Sequence, residues 1–160
     1  MRCFVSLTAA LALIAVASTA RAHGDETHKP GTYDGHAAAL GEPGNPKSVN
    51  RTVQVTMTDQ MRFSPARITV KRGETVRFAV KNVGQIKHEI QLGTVEELVE
   101  HAKVMLQHPE MEHDDPNGIS LQPGKAGELV WKFTKKGEFE FGCLVPGHFE
   151  GGMRGKIIVQ

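Results

Sequence analysis

Gly137-Glu-Phe-Glu-Phe-Gly-Cys143-Leu-Val-Pro-Gly-His148-Phe-Glu-Gly-Gly-Met153 is the stretch on which the reading of this chain turns. Its first half alternates apolar and polar residues, with Phe139 and Phe141 on one face, the period of a half-buried strand. Its second half places a thiol, an imidazole and a thioether five residues apart in a loop rich in Gly and Pro. A soft thiolate with imidazole and a distant thioether suits copper. Two His plus one Cys with a long axial Met make an electron-transfer copper site. The missing second imidazole is expected from another strand, and His88 fits, in Asn82-Val-Gly-Gln-Ile-Lys-His88. The plainer alternative is a buried free Cys beside a surface His and a core Met.

Outward from this stretch, period-two runs recur from Thr52 onward. They are Val53, Val55 and Met57; Ile68 and Val70; Val76, Phe78 and Val80; Leu129, Trp131 and Phe133; and Ile157 and Val159. Turn signals separate them, notably Lys71-Arg-Gly73, Gln122-Pro-Gly124 and Lys135-Lys-Gly137. Short alternating strands so punctuated predict an all-β Greek-key sandwich whose apolar set is core and nothing more. One segment, 93–118, breaks the period. Thr94-Val-Glu-Glu97 forms a capping box, and Leu98, Val99, Ala102, Met105 and Leu106 recur at helical spacing, so a helix is inserted from Thr94 to Gln107. Pro109 stops it, and Asp114-Asp-Pro-Asn-Gly118 forms the following turn.

Residues 1–22 read as a secretory signal peptide. Met1-Arg2 is a positive start, Phe4 to Ala17 is almost wholly apolar, and Ala20-Arg-Ala22 offers a small-residue cleavage site. The apolar run is too short to span a bilayer. Residues 23–50, rich in Gly, Pro, Asp and His without an apolar period, read as a flexible arm, leaving 51–160 as the domain. Removing Arg2 and Arg21 leaves 17 basic against 18 acidic residues, a net charge of −1, which argues against nucleic acid or an anionic membrane as partner. Cys143 becomes the one thiol of an exported chain, a hazard unless something occupies it.

Four residues and their order, with Pro65-Ala-Arg-Ile-Thr-Val-Lys-Arg-Gly-Glu-Thr-Val-Arg-Phe78, Pro123-Gly-Lys-Ala-Gly-Glu-Leu-Val-Trp-Lys-Phe133 and Gly137 to Cys143, resemble the cupredoxins, the small blue-copper proteins. Within that family the chain looks closest to the periplasmic copper-tolerance members of the CopI type. The resemblance covers Arg51 to Gln160 and implies copper ligation by His88, Cys143, His148 and Met153. It departs from the family at Glu89, where many cupredoxins carry Asn, and the hydrogen bonding between the ligand loops turns on that position.

Further copper donors are candidates. His101, Met105 and His108 share a helical stripe, and Met111 and His113 follow it. The alternative is Met105 in the core with both His solvated at its margin. If the signal is cut after Ala22, the α-amine and imidazole of His23 can chelate Cu(II) together, with His28 and His36 on the same arm; the alternative is a solvated polar arm. Two functions remain open: a periplasmic copper-tolerance protein with Cu(I) oxidation as a candidate activity, and a soluble one-electron carrier working with a partner such as a cytochrome or copper-handling protein. The chain has no His-x-His pair, so a multicopper oxidase is excluded, and no hydrolytic motif is present.

Overall fold

Alternation along the strands builds two sheets that bury one face each. The computed structural model describes residues 39–109 and 115–160. Its elements in order are β1 (Gly41–Pro43), a 3-10 turn (Pro46–Ser48), β2 (Arg51–Thr58), β3 (Arg62–Ser64), β4 (Arg67–Val70), β5 (Thr75–Asn82), β6 (His88–Gly93), α1 (Val95–Gln107), β7 (Gly118–Leu121), β8 (Ala126–Phe133), β9 (Gly137–Gly142) and β10 (Arg154–Val159). One sheet runs β1-β8-β5-β2-β3 and the other β4-β10-β9-β6-β7, giving the expected sandwich with one inserted helix.

Register explains the core. In the first sheet Val76 stands opposite Trp131 and Phe78 opposite Leu129, while parallel pairing sets Val55 beside Val80. In the second, Ile157 lies between Ile68 and Phe139, and Leu92 faces Phe141. All of these side chains are buried. Edge-on aromatic packing adds to this, Phe63 against Phe141 at 5.0 Å and Phe78 against Phe133 at 6.2 Å between ring centres.

The folded part starts earlier than Arg51. Leu40 is fully buried in the core, and Gly41–Pro43 pairs with β8, so the end of the stretch read as an arm belongs to the sandwich. A three-residue strand around Gly and Pro has no alternation to reveal it, and Gly41 is demanded by contact: a Cβ there would overlap the Lys132 carbonyl. Residues 1–22, read above as a signal peptide, and His23, His28 and His36 lie outside the described residues. Among the described residues no helix is long and apolar enough to cross a membrane.

The helix begins as its sequence requires. Thr94 Oγ1 accepts the Glu97 N–H at 3.2 Å, and Glu97 Oε2 accepts the Thr94 N–H at 2.8 Å. Its inner stripe of Leu98, Ala102 and Met105 packs on Leu144 and Phe149, which adjoin Cys143 and His148. The insertion therefore abuts the loop between β9 and β10.

Candidate metal centre

Three donors converge at one end of the sandwich. His88 opens β6, Cys143 directly follows β9, and His148 lies in the loop leading to β10. The His88 Nδ1 and His148 Nδ1 atoms are 3.2 Å apart. Cys143 Sγ lies 3.3 Å from His148 Nδ1 and 4.0 Å from His88 Nδ1. These atoms form the only group of three or more His, Cys or acidic donors within mutual reach among the described residues.

The spacing fits a metal ion. Bonds of about 2.0 Å to imidazole and 2.3 Å to thiolate, opened at roughly 110–130°, separate nitrogens by about 3.3–3.6 Å and sulfur from nitrogen by about 3.5–3.9 Å, each within a few tenths of an ångström of the distances seen. A soft sulfur with two imidazoles is the donor chemistry of copper. His88 and Cys143 are fully buried, and His148 is 9% exposed, the one donor of the three that reaches solvent.

The loop is folded by its own backbone. The His148 N–H donates to the Val145 carbonyl, the Met153 N–H to that of His148, and the Cys143 N–H to that of Met153, at 2.9, 2.9 and 3.1 Å. Gly147 and Gly152 take φ of +84° and +87°, left-handed conformations that a side chain would oppose. Met153 is fully buried and locked by its backbone to Cys143, so its thioether sits in the interior beside the donor loop. Arg154 lies over the Phe149 ring at 4.3 Å and is ion-paired with Glu140, fixing the loop's exit.

Glu89 bonds across to the segment that follows β9. Its N–H points at Cys143 Sγ at 3.4 Å, and its carboxylate Oε1 accepts the Leu144 N–H at 2.9 Å. The two ligand-bearing segments are thus tied across β6 and the end of β9, by a charged acceptor instead of an amide.

Burial pushes the Cys143 thiol up to about 12; the Glu89 charge adds to this, while the Glu89 and Val145 N–H groups oppose it. Without metal the sulfur is therefore a neutral thiol, and a bound cation is what makes it a thiolate. His148 is held below the ordinary imidazole range, first by burial and then by His88. Neutral imidazoles are the form that binds metal.

Sequence reasoning missed Asp59. Its Oδ1 lies 2.9 Å from His88 Nε2, on the far side of the ring from the donor cluster. No local signal marks it: an Asp in a turn between two strands is ordinary, and only the fold brings it to His88.

The helix residues are dispersed. Met105 is buried against Leu98, Leu144 and Phe149, His101 Nδ1 faces Asp115 at 3.8 Å, and His108 caps the helix C-terminus at the surface. Met111 and His113 lie outside the described residues, as does His23.

Comparison with known proteins agrees with this geometry. Residues 49–160 match the model of the copper-binding proteins of the plastocyanin/azurin family. The chain is 49% identical over 148 residues, with 90% of each chain covered, to the copper-resistant cuproprotein CopI of Rubrivivax gelatinosus. It is 37% identical to the protein of the same name from Pseudomonas aeruginosa, covering 78% of this chain and 84% of that one. Its fold matches dithionite-reduced auracyanin of Roseiflexus castenholzii with a TM-score of 0.61, at 20% identity over 70% of this chain and 98% of the other. With a sandwich that presents thiol and imidazoles at this spacing, the chain belongs to the plastocyanin/azurin family of copper-binding proteins.

Proposed function

We propose that this chain is a periplasmic type 1 copper protein of copper tolerance, in which His88, Cys143, His148 and Met153 would hold the copper. The observation that carries the reading is the convergence of His88 Nδ1, His148 Nδ1 and Cys143 Sγ within 4.8 Å of one another. Its likeness to two copper-resistant cuproproteins supports the physiological role. Bound copper supplies one-electron redox chemistry and an intense thiolate-to-metal absorption. The sandwich supplies a dry, fixed donor set with His148 as its edge toward solvent. Oxidation of cuprous to cupric ion is a candidate activity, with one electron per ion going to an external acceptor such as a periplasmic cytochrome.

Loading the mature chain with Cu(II) and recording visible and electron paramagnetic resonance spectra tests the site. A visible band that bleaches on reduction and is absent from Cys143→Ser is expected; a Cys143→Ser protein that keeps the colour overturns the assignment.

A second reading, a soluble one-electron carrier, is favoured by His148 being the donor that reaches solvent. Metal stoichiometry and phenotype separate the two. Tolerance predicts copper beyond one ion per chain, drawn from His101, His108, Met111, His113 and the arm with His23, and a copper-sensitive deletion strain. One ion per chain with a respiratory defect and unchanged tolerance selects the carrier.

A further inference from the structure

Among the titratable groups near the donor cluster, one is seated with more care than its exposed position requires. Asp59 occupies the turn between β2 and β3, in the opposite sheet from His88. Three features bring it to the imidazole. The Val83 N–H donates to the Met57 carbonyl at 2.9 Å, fastening the loop before His88 to the end of β2. The Gln85 N–H donates to Asp59 Oδ2 at 2.7 Å, which turns Oδ1 toward His88 Nε2 at 2.9 Å. Gly84 leaves the space: a Cβ built there would overlap Asp59 Oδ1. Gly84 is itself held, because its N–H donates at 2.9 Å to the Asn82 amide oxygen, and Asn82 Nδ2 donates to the carbonyls of Ile86 and Leu121.

We propose that Asp59 is a positioning residue of the copper centre, fixing the tautomer and tilt of His88 and biasing the site toward Cu(II). The inference rests on the copper assignment proposed above. A carboxylate accepts but does not donate, so in the neutral ring the proton sits on Nε2 and the Nδ1 lone pair faces Cys143 and His148. A carboxylate on the outer nitrogen also makes the imidazole a stronger donor. Stronger donation stabilises the doubly charged ion more than the singly charged one, which lowers the reduction potential. Because the Asp59 side chain is 38% exposed, its through-space field is screened, and the effect travels by the hydrogen bond to the fully buried ring.

The test uses the full mature chain, loaded with copper, as wild type, Asp59→Ala, Asp59→Asn and Gly84→Ala. Gly84→Ala expels the carboxylate while leaving its charge in the protein. Glu42→Gln, on β1 at the edge of the first sheet opposite the Asp59 turn, controls for a change of net charge. Measured are Cu(II) and Cu(I) affinities by competition, the reduction potential, and melting of the apo protein. In Asp59→Ala the Cu(II) affinity falls about 10–100-fold, with a smaller fall for Cu(I). Each tenfold difference between the two raises the potential by about 59 mV. Gly84→Ala moves the potential the same way, Asp59→Asn moves it less because an acceptor oxygen remains, and Glu42→Gln leaves it in place. A purely structural Asp59 would lower the apo melting temperature and both affinities equally, leaving the potential unchanged, and that result overturns the proposal. Should Asp59→Ala fail to fold, Gly84→Ala alone decides by the same criterion. Failure of the wild type to show a thiolate-to-copper band would instead remove the copper assignment itself.

Discussion

At Cys143 the metal-free protein and the copper protein make opposite demands. The buried sulfur keeps its proton to a pH of about 12 in the folded apo chain, whereas an unfolded thiol loses it near 9. Between those values the unfolded chain binds fewer protons, so apo stability falls as pH rises from about 9 toward 12. Denaturant titrations at pH 8 and 10 should show this decline in the wild type and a shallower one in Cys143→Ser. Copper loading at pH 7 should release one proton per ion from the thiol, read in weakly buffered solution, with none from Cys143→Ser. Glu89 offers a second test at this scale. Glu89→Ala strands the buried Leu144 N–H, at a cost of about 1–3 kcal/mol in apo stability, while Glu89→Gln keeps an acceptor and most of that stability. The cluster of His88, Cys143 and His148 was legible because a Cys and a His fall five residues apart in one Gly/Pro-rich loop, with a further His opening a strand elsewhere. Glu89 was legible as a departure, but its bond to Leu144 needed the register of β6 against β9. Asp59 was not legible, since its partner His88 lies 29 residues away and on the other sheet.

The inserted helix acts on the donor loop through contact. Leu98, Ala102 and Met105 cover Leu144 and Phe149, the neighbours of Cys143 and His148. Met105→Ala should cost about 2–5 kcal/mol by leaving a cavity, whereas Met105→Leu, of similar volume, should cost under about 1.5 kcal/mol. Chemical denaturation of the apo protein checks both. The core place of Met105 further predicts that Met105→Leu keeps the copper stoichiometry of the wild type. A lower copper count in that variant would make the thioether a ligand. Helix and cap were legible because the capping box and the 3.6-residue stripe are local patterns. Strand β1 was not, because a short Gly/Pro strand is defined by its partner β8 and by Leu40 alone.

Across the whole molecule, the centre sits where the two sheets meet. His88, Cys143 and His148 come from the second sheet and its loop, and Asp59 from a turn of the first. Ion binding to the native state alone stabilises it by mass action, about 4 kcal/mol at a thousandfold excess over the dissociation constant. A thermal scan with excess copper should therefore melt well above the apo protein, and Cys143→Ser should lose most of that increment. Truncation brings out a consequence of β10, the strand that follows Met153 and lies between β4 and β9. A chain cut after Met153 keeps His88, Cys143 and His148, yet it lacks the strand that joins β4 to β9. Without Arg154–Val159 the second sheet is in two pieces and the loop's exit is unanchored. Such a chain retains the clustered donor types and no frame to hold them, so the geometry of the cluster is a property of the closed sheet and not of the donor loop alone.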